Sequence, residues 1–128
     1  MADSEKITIN LSAVDLGKID LLVEQGHYSN RTDLIRAGIR SQLEKHTFEV
    51  QQSVARDSYV IGVQILNKTD LEKSKAKGEK LKINMIGLLH LDNDIPASLA
   101  AEVIESLQVR GVFQASEQVK SILSDRIK

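Results

Sequence analysis

Six residues near the start of the 128-residue chain leave it little freedom. Lys6-Ile7-Thr8-Ile9-Asn10-Leu11 alternates polar and apolar without a break. Side chains along a strand point to opposite faces in turn, so Ile7, Ile9 and Leu11 share one face and Lys6, Thr8 and Asn10 the other. A helical pattern begins immediately afterwards, so no neighbouring segment can serve as the partner strand. A lone strand leaves its backbone donors and acceptors unsatisfied. The simplest remedy is pairing with the same strand of a second copy, which makes a homodimer. The resulting two-stranded ribbon carries Lys6, Thr8 and Asn10 twice on one face. Such a ribbon fits the major groove of double-stranded DNA, and these side chains suit base edges.

Two helices follow. Ser12 precedes Ala13-Val14-Asp15, an N-cap serine with an acid three residues on. Leu16, Ile19, Leu22 and Val23 recur at helical spacing, and Gly26 suits the left-handed position just past a helix end. After His27-Tyr28-Ser29, the second helix opens at Asn30-Arg31-Thr32-Asp33, again a cap with an acid at the third position. Ile35, Gly38, Ile39 and Leu43 line its apolar face; Arg36 and Arg40 line another.

The strand, the capped helix, the glycine turn and Tyr28-Ser29-Asn30-Arg31-Thr32-Asp33-Leu34-Ile35-Arg36 together resemble the ribbon-helix-helix family of prokaryotic DNA-binding repressors, the Arc, MetJ and CopG group. The resemblance covers roughly the first 45 residues. Asn30 stands where the family more often has serine or threonine, and it caps equally well. The resemblance implies base reading by Lys6, Thr8 and Asn10, and a phosphate grip by Ser29, Asn30, Arg31 and Thr32. Exposed amides and the helix dipole favour an anion at that second position on physical grounds as well. Ile7, Ile9, Leu11, Ile35, Gly38 and Ile39 are expected in the dimer core. Gly38 costs about 1 kcal/mol relative to alanine within a helix. Close approach of two second helices is favoured over a tolerated defect as its reason.

A ribbon and two helices, about 40 residues, are too few to bury a core alone, so folding and dimerisation are expected to be one event. The net charge is -1 overall, and residues 1–57 carry 7 Lys plus Arg against 9 Asp plus Glu, a net of -2. That weighs against strong nonspecific DNA binding, but the field at a ribbon is local. The absence of cysteine excludes disulfides and thiolate metal sites. No signal peptide and no long apolar run are visible, so a cytoplasmic location away from membranes is expected. Two Phe, two Tyr and no Trp argue against a single-strand stacking platform. Met1–Glu5 reads as a frayed arm.

Residues 1–48 are read as the DNA-binding and dimerisation domain, 49–57 as a connector favouring helix, and 58–128 as a second domain. From Ser58 the pattern changes. Tyr59–Leu66 is β-branched and apolar and reads as a strand. Asn67–Lys82, with six lysines, reads as a solvated loop or short helix, with a phosphate-contacting loop as the functional alternative. Ile83–Leu91 aligns with Leu107–Ala115 at an interval of 24 residues, matching Gly87 to Gly111, and Gly62 lies 25 residues before Gly87. Between the last two strands, Pro96–Ser106 reads as a helix using Leu99, Val103 and Ile104, and Glu117–Lys128 as a helix using Val119, Ile122 and Leu123. Strand, helix and strand at this interval suggest parallel strands with right-handed crossovers, a small α/β domain that completes an α+β fold class. Open ends of such a stack invite self-association, with Gly87, Val109, Gly111 and Val112 as the expected assembly residues.

Other motifs yield to plainer readings. Asp15, Asp20 and Glu24 read as a solvated helix face. His27, His46 and His90 form no close pair, so metal binding of the kind found in nickel-responsive repressors is disfavoured. Asp92-Asn93-Asp94 lacks the remaining ligands of a calcium loop and reads as a turn before a helix. No nucleophile–base pair or phosphate loop supports an enzyme, and no cofactor or metal is expected. The leading expectation is a homodimeric DNA-binding regulator, a repressor, whose C-terminal half drives higher assembly or senses a signal. The alternatives are an antitoxin whose tail neutralises a cognate toxin, and a DNA-partition scaffold.

Overall fold

The computed structural model describes residues 4–128, so the reading of the first arm lies outside the described residues at Met1–Asp3. Two compact units emerge, Lys6–Ser53 and one whose body is Val54–Lys128.

In the first unit, Lys6–Leu11 joins no sheet and the chain then enters α1 (Ala13–Glu24) and α2 (Arg31–Lys45); α3 (Thr47–Asp57), separate from α2, runs across the boundary between the units. The Ser12 hydroxyl accepts the Asp15 amide at 3.1 Å. At the other end of α1, Gly26 takes φ +84, the His27 amide donates to Leu22 O and the Gly26 amide to Val23 O. These two bonds satisfy carbonyls that the helix end leaves free, and the left-handed glycine makes the reversal possible. The caps and the turn follow the sequence reading. The unit nevertheless contains no buried residue among those described: Ile7, Ile9, Leu11, Leu21, Ile39 and Leu43 are all exposed in the single chain.

The second unit is built on a three-stranded parallel sheet in the order β1 (Val60–Leu66), β2 (Leu81–Leu91), β3 (Ile104–Gln114). The crossovers carry α4 (Lys68–Ala76) and α5 (Ala97–Val103), and α6 (Glu117–Ile122) follows β3. The lysine-rich stretch forms the short helix α4. It starts at a reciprocal cap, in which Asn67 Oδ1 accepts the Asp70 amide and Asp70 Oδ2 accepts the Asn67 amide, both at 2.9 Å. Leu71 anchors α4 in the core. Met85, Leu89 and Leu91 of β2, Leu99 and Val103 of α5, Ile104 and Leu107 of β3, and Val119 and Leu123 beyond them complete that core.

Two boundaries differ from expectation. α5 stops at Val103, because Ile104 is already extended (φ -89, ψ 108) and fully buried as the first residue of β3. α6 stops at Ile122, which is exposed, and the chain turns back along β3: the Leu107 amide donates to Arg126 O at 3.1 Å and the Lys128 amide to Leu107 O at 2.9 Å. The Arg126 guanidinium donates to Ala101 O and Ile104 O, satisfying carbonyls at the end of α5.

Pairing runs Ile83↔Leu107 through His90↔Gln114 between β2 and β3, and Val60↔Met85 through Leu66↔Leu91 between β1 and β2. Gly62, Gly87 and Gly111 therefore stand side by side, all at positive φ (+141, +139 and +124). A Cβ on Gly87 would lie 2.0 Å from Gly62 O, and one on Gly111 2.2 Å from Gly87 O. Only glycine lets these strands approach at this level.

Candidate nucleic-acid interface

The residues expected to contact DNA divide into two groups within the first unit. Lys6, Thr8 and Asn10 are exposed, but so are Ile7, Ile9 and Leu11 on the opposite side. Both sides of Lys6–Leu11 are bare in the single chain, and its backbone has no sheet partner.

The start of α2 is well ordered by its own side chains. Asn30 Oδ1 accepts the Asp33 amide at 2.8 Å, and Asp33 Oδ2 accepts the Ser29 amide at 3.0 Å. The amides of Arg31 and Thr32, the first two of the helix, fall outside the intrahelical ladder and carry the positive end of its dipole. Ser29, Asn30, Thr32, Asp33, Arg36 and Arg40 surround a shallow concavity of about 300 Å³. Arg36 and Arg40 are one helical turn apart and exposed there. The sequence reading put them on a helix face without a role; their i, i+4 spacing was the available signal.

Arg31 is engaged elsewhere. Its Nε and Nη2 donate to Asp20 Oδ1 and Oδ2 at 2.7 and 2.9 Å, a two-pronged bridge from α2 to α1. The hydrogen bond from Arg31 holds the Asp20 carboxyl below the usual carboxylate range, and the same bond raises Arg31. Asp20, read as part of a solvated face, is thus the helix–helix tie. The anion-attracting elements left at this end of α2 are two backbone amides, the Asn30 and Thr32 side chains, and Arg36 and Arg40.

Of the expected core residues, Ile35 is half-buried and Gly38 is exposed, with nothing within 4 Å of where its Cβ would sit. In the second unit, Gly87 and Gly111 are used in the internal strand pairing, Val109 packs against the core, and Val112 is half-buried. His90 lies between Gln114 Oε1 and Asp92 Oδ1, at 3.0 and 3.1 Å. The Asp92-Asn93-Asp94 segment forms the turn into α5, where Asp94 Oδ1 accepts the Lys68 amide at 3.2 Å. Among the described residues no three His, Asp or Glu side chains form a metal-holding group, and no helix is long and apolar enough to cross a membrane.

A small α+β protein, with an unpaired alternating segment followed in sequence by a capped pair of helices and then, as a separate unit, a parallel sheet, is the class these features define. The chain belongs to the ribbon-helix-helix transcriptional regulator family, which matches it over residues 2–120. It is similar to the transcriptional regulator CdrS of Halobacterium salinarum, with 28% identity over 43 residues, 34% of this chain and 78% of that protein. No solved structure matches the chain.

Proposed function

We propose that the protein is a homodimeric, sequence-specific DNA-binding repressor and not an enzyme, acting in the cytoplasm. Two copies of Lys6–Leu11 pair into a ribbon that enters the major groove. Lys6, Thr8 and Asn10 read base edges, lysine favouring guanine and asparagine adenine. The observation that carries this reading is the first unit's lack of any buried residue, combined with its bare apolar side chains on Lys6–Leu11 and α2. A second copy supplies both the missing strand partner and the missing core, from Ile7, Ile9, Leu11, Ile35 and Ile39, with Gly38 allowing the second helices to approach. Ser29, Asn30 and Thr32 offer phosphate contacts at the start of α2, joined by Arg36 and Arg40. Arg31 acts there indirectly, by holding α2 to α1.

Residues 1–48 are the DNA-binding part, 49–57 the connector and 58–128 a module for oligomerisation. The second unit's own buried core favours such a module over a tail that folds only on a toxin. Genome-wide footprinting supplies the operator. On that operator, Asn10→Ala and Lys6→Ala should each lose about 1–3 kcal/mol of discrimination at one base position. Unchanged affinity and sequence preference in both variants would overturn the reading.

A further inference from the structure

β1 has the composition of an interior strand and the surroundings of an exposed one. Strands of parallel sheets are covered on both faces and read as continuous apolar runs, and Val60-Ile61-Gly62-Val63-Gln64-Ile65-Leu66 is such a run but for Gln64, without a charge. Yet Val60, Ile61, Val63 and Ile65 are 58, 61, 54 and 52% exposed. A cleft of about 440 Å³ opens beside β1 toward α4, lined in part by Val60, Gln64 and Lys73. A second cleft, of about 490 Å³, includes Ile61, Val63, Ile86 and Val112 in its lining. The edge of β1 away from β2 pairs with no strand of the chain. A long, apolar, uncharged edge of this kind is a template for another strand.

Gly62 points to close approach. Gly87 and Gly111 share its conformation because a neighbouring strand's carbonyl occupies the place of a Cβ. Gly62 adopts φ +141 with nothing within 4 Å of that place. The opposite edge of the sheet is occupied near its start, where the Arg126–Lys128 tail takes both backbone groups of Leu107. The tail holds the β3 edge at Leu107, β1 is open along its whole length, and an isologous pair of β1 strands closes without drawing on β3.

We propose that β1 is completed by β1 of a second copy, antiparallel about a two-fold axis at Gly62, with Ile61 facing Val63 of the partner subunit. The partner is a second copy because the strand is uncharged and meets itself without like charges. The ribbon dimer of the proposed function also tethers such a copy through residues 46–59, at high effective concentration. The inference rests on reading the C-terminal unit as an assembly module, and it moves the contact from Val109 and Val112 to β1.

The chain has no cysteine, so introduced ones report alone. Directly opposed residues in an antiparallel pair have Cα atoms about 4.5–5.5 Å apart, within the disulfide range of about 4.4–6.8 Å. Full-length chains carrying Ile61→Cys and Val63→Cys, distinguished by size tags, are coexpressed and oxidised. The expected product is a disulfide-linked heterodimer, far above the covalent dimer that either single-cysteine protein forms when expressed alone. The exposure of both positions keeps folding intact, checked by circular dichroism. Cross-linking of Ile61→Cys alone to the same extent, no cross-link in any combination, or an equal yield from Val63→Cys with Val109→Cys would each overturn the proposal. Adding Asn10→Ala should leave the yield unchanged while impairing operator binding, so edge pairing and base reading fail separately.

Discussion

Gly87→Ala isolates the row of glycines that joins the three strands. A Cβ there would lie 2.0 Å from Gly62 O and 3.0 Å from Gly62 C, both backbone atoms that no rotamer change can move. The φ of +139 adds a second cost, because L side chains rarely adopt that region. Backbone strain of this kind is worth about 1–3 kcal/mol, and forcing extra volume into packed structure about 1–3 kcal/mol more. The sum, about 2–6 kcal/mol, compares with about 5–15 kcal/mol for the stability of a whole domain. Gly111→Ala meets a similar wall at 2.2 Å from Gly87 O, whereas Gly62→Ala meets only the backbone term in the single chain. The cleanest assay is hydrogen exchange of the β2 amides, because the chain has two units and a single unfolding midpoint would mix them. A loss of about 3 kcal/mol lowers protection about 10²-fold. The comparison belongs in a background with Ile61→Lys and Val63→Lys, so that association through β1 does not enter. Gly87→Ala costing no more than Gly62→Ala would refute the reasoning.

Other outcomes follow from the same geometry. Arg31→Ala should raise the Asp20 pKa toward its ordinary value, read by carboxyl NMR. Because the folded carboxyl is depressed, the bridge contributes above the ordinary Asp range and is lost as pH falls through the folded value. Arg36→Ala or Arg40→Ala should weaken binding to all DNA sequences alike and make the salt slope shallower by roughly one per lost phosphate contact in each subunit; an effect at one base position only would count against phosphate contact. Arg126→Ala leaves the Ala101 and Ile104 carbonyls without this donor, and should cost about 1–3 kcal/mol in the second unit. Exchange rates at the α5 amides check it, and unchanged rates would contradict it.

Local signals carried far along this chain. Ser12 and Asn30 were legible as caps because each bonds an amide three residues away. The interval from Gly87 to Gly111 stands out in sequence, and it equals the register offset between β2 and β3. The bridge from Arg31 to Asp20 was not legible, since eleven residues and a turn separate two charges that each suit solvent. The end of α5 was missed because Val103 and Ile104 continue an apolar pattern straight from helix into strand, with no Gly or Pro between them. Arg126 gave no sign of its role, which depends on carbonyls more than twenty residues earlier.

If two copies pair as proposed, the first unit's want of a buried side chain has a genetic consequence. A chain altered only at Asn10 would keep its apolar residues and enter mixed dimers with the normal protein. Each mixed dimer would present half a reading surface, so the altered allele would act dominantly. A chain with a charge at Ile9 or Ile39 would complete no core, join no partner and behave as recessive. The pattern of dominance among alleles would thus separate the residues that face DNA from those that face the second copy.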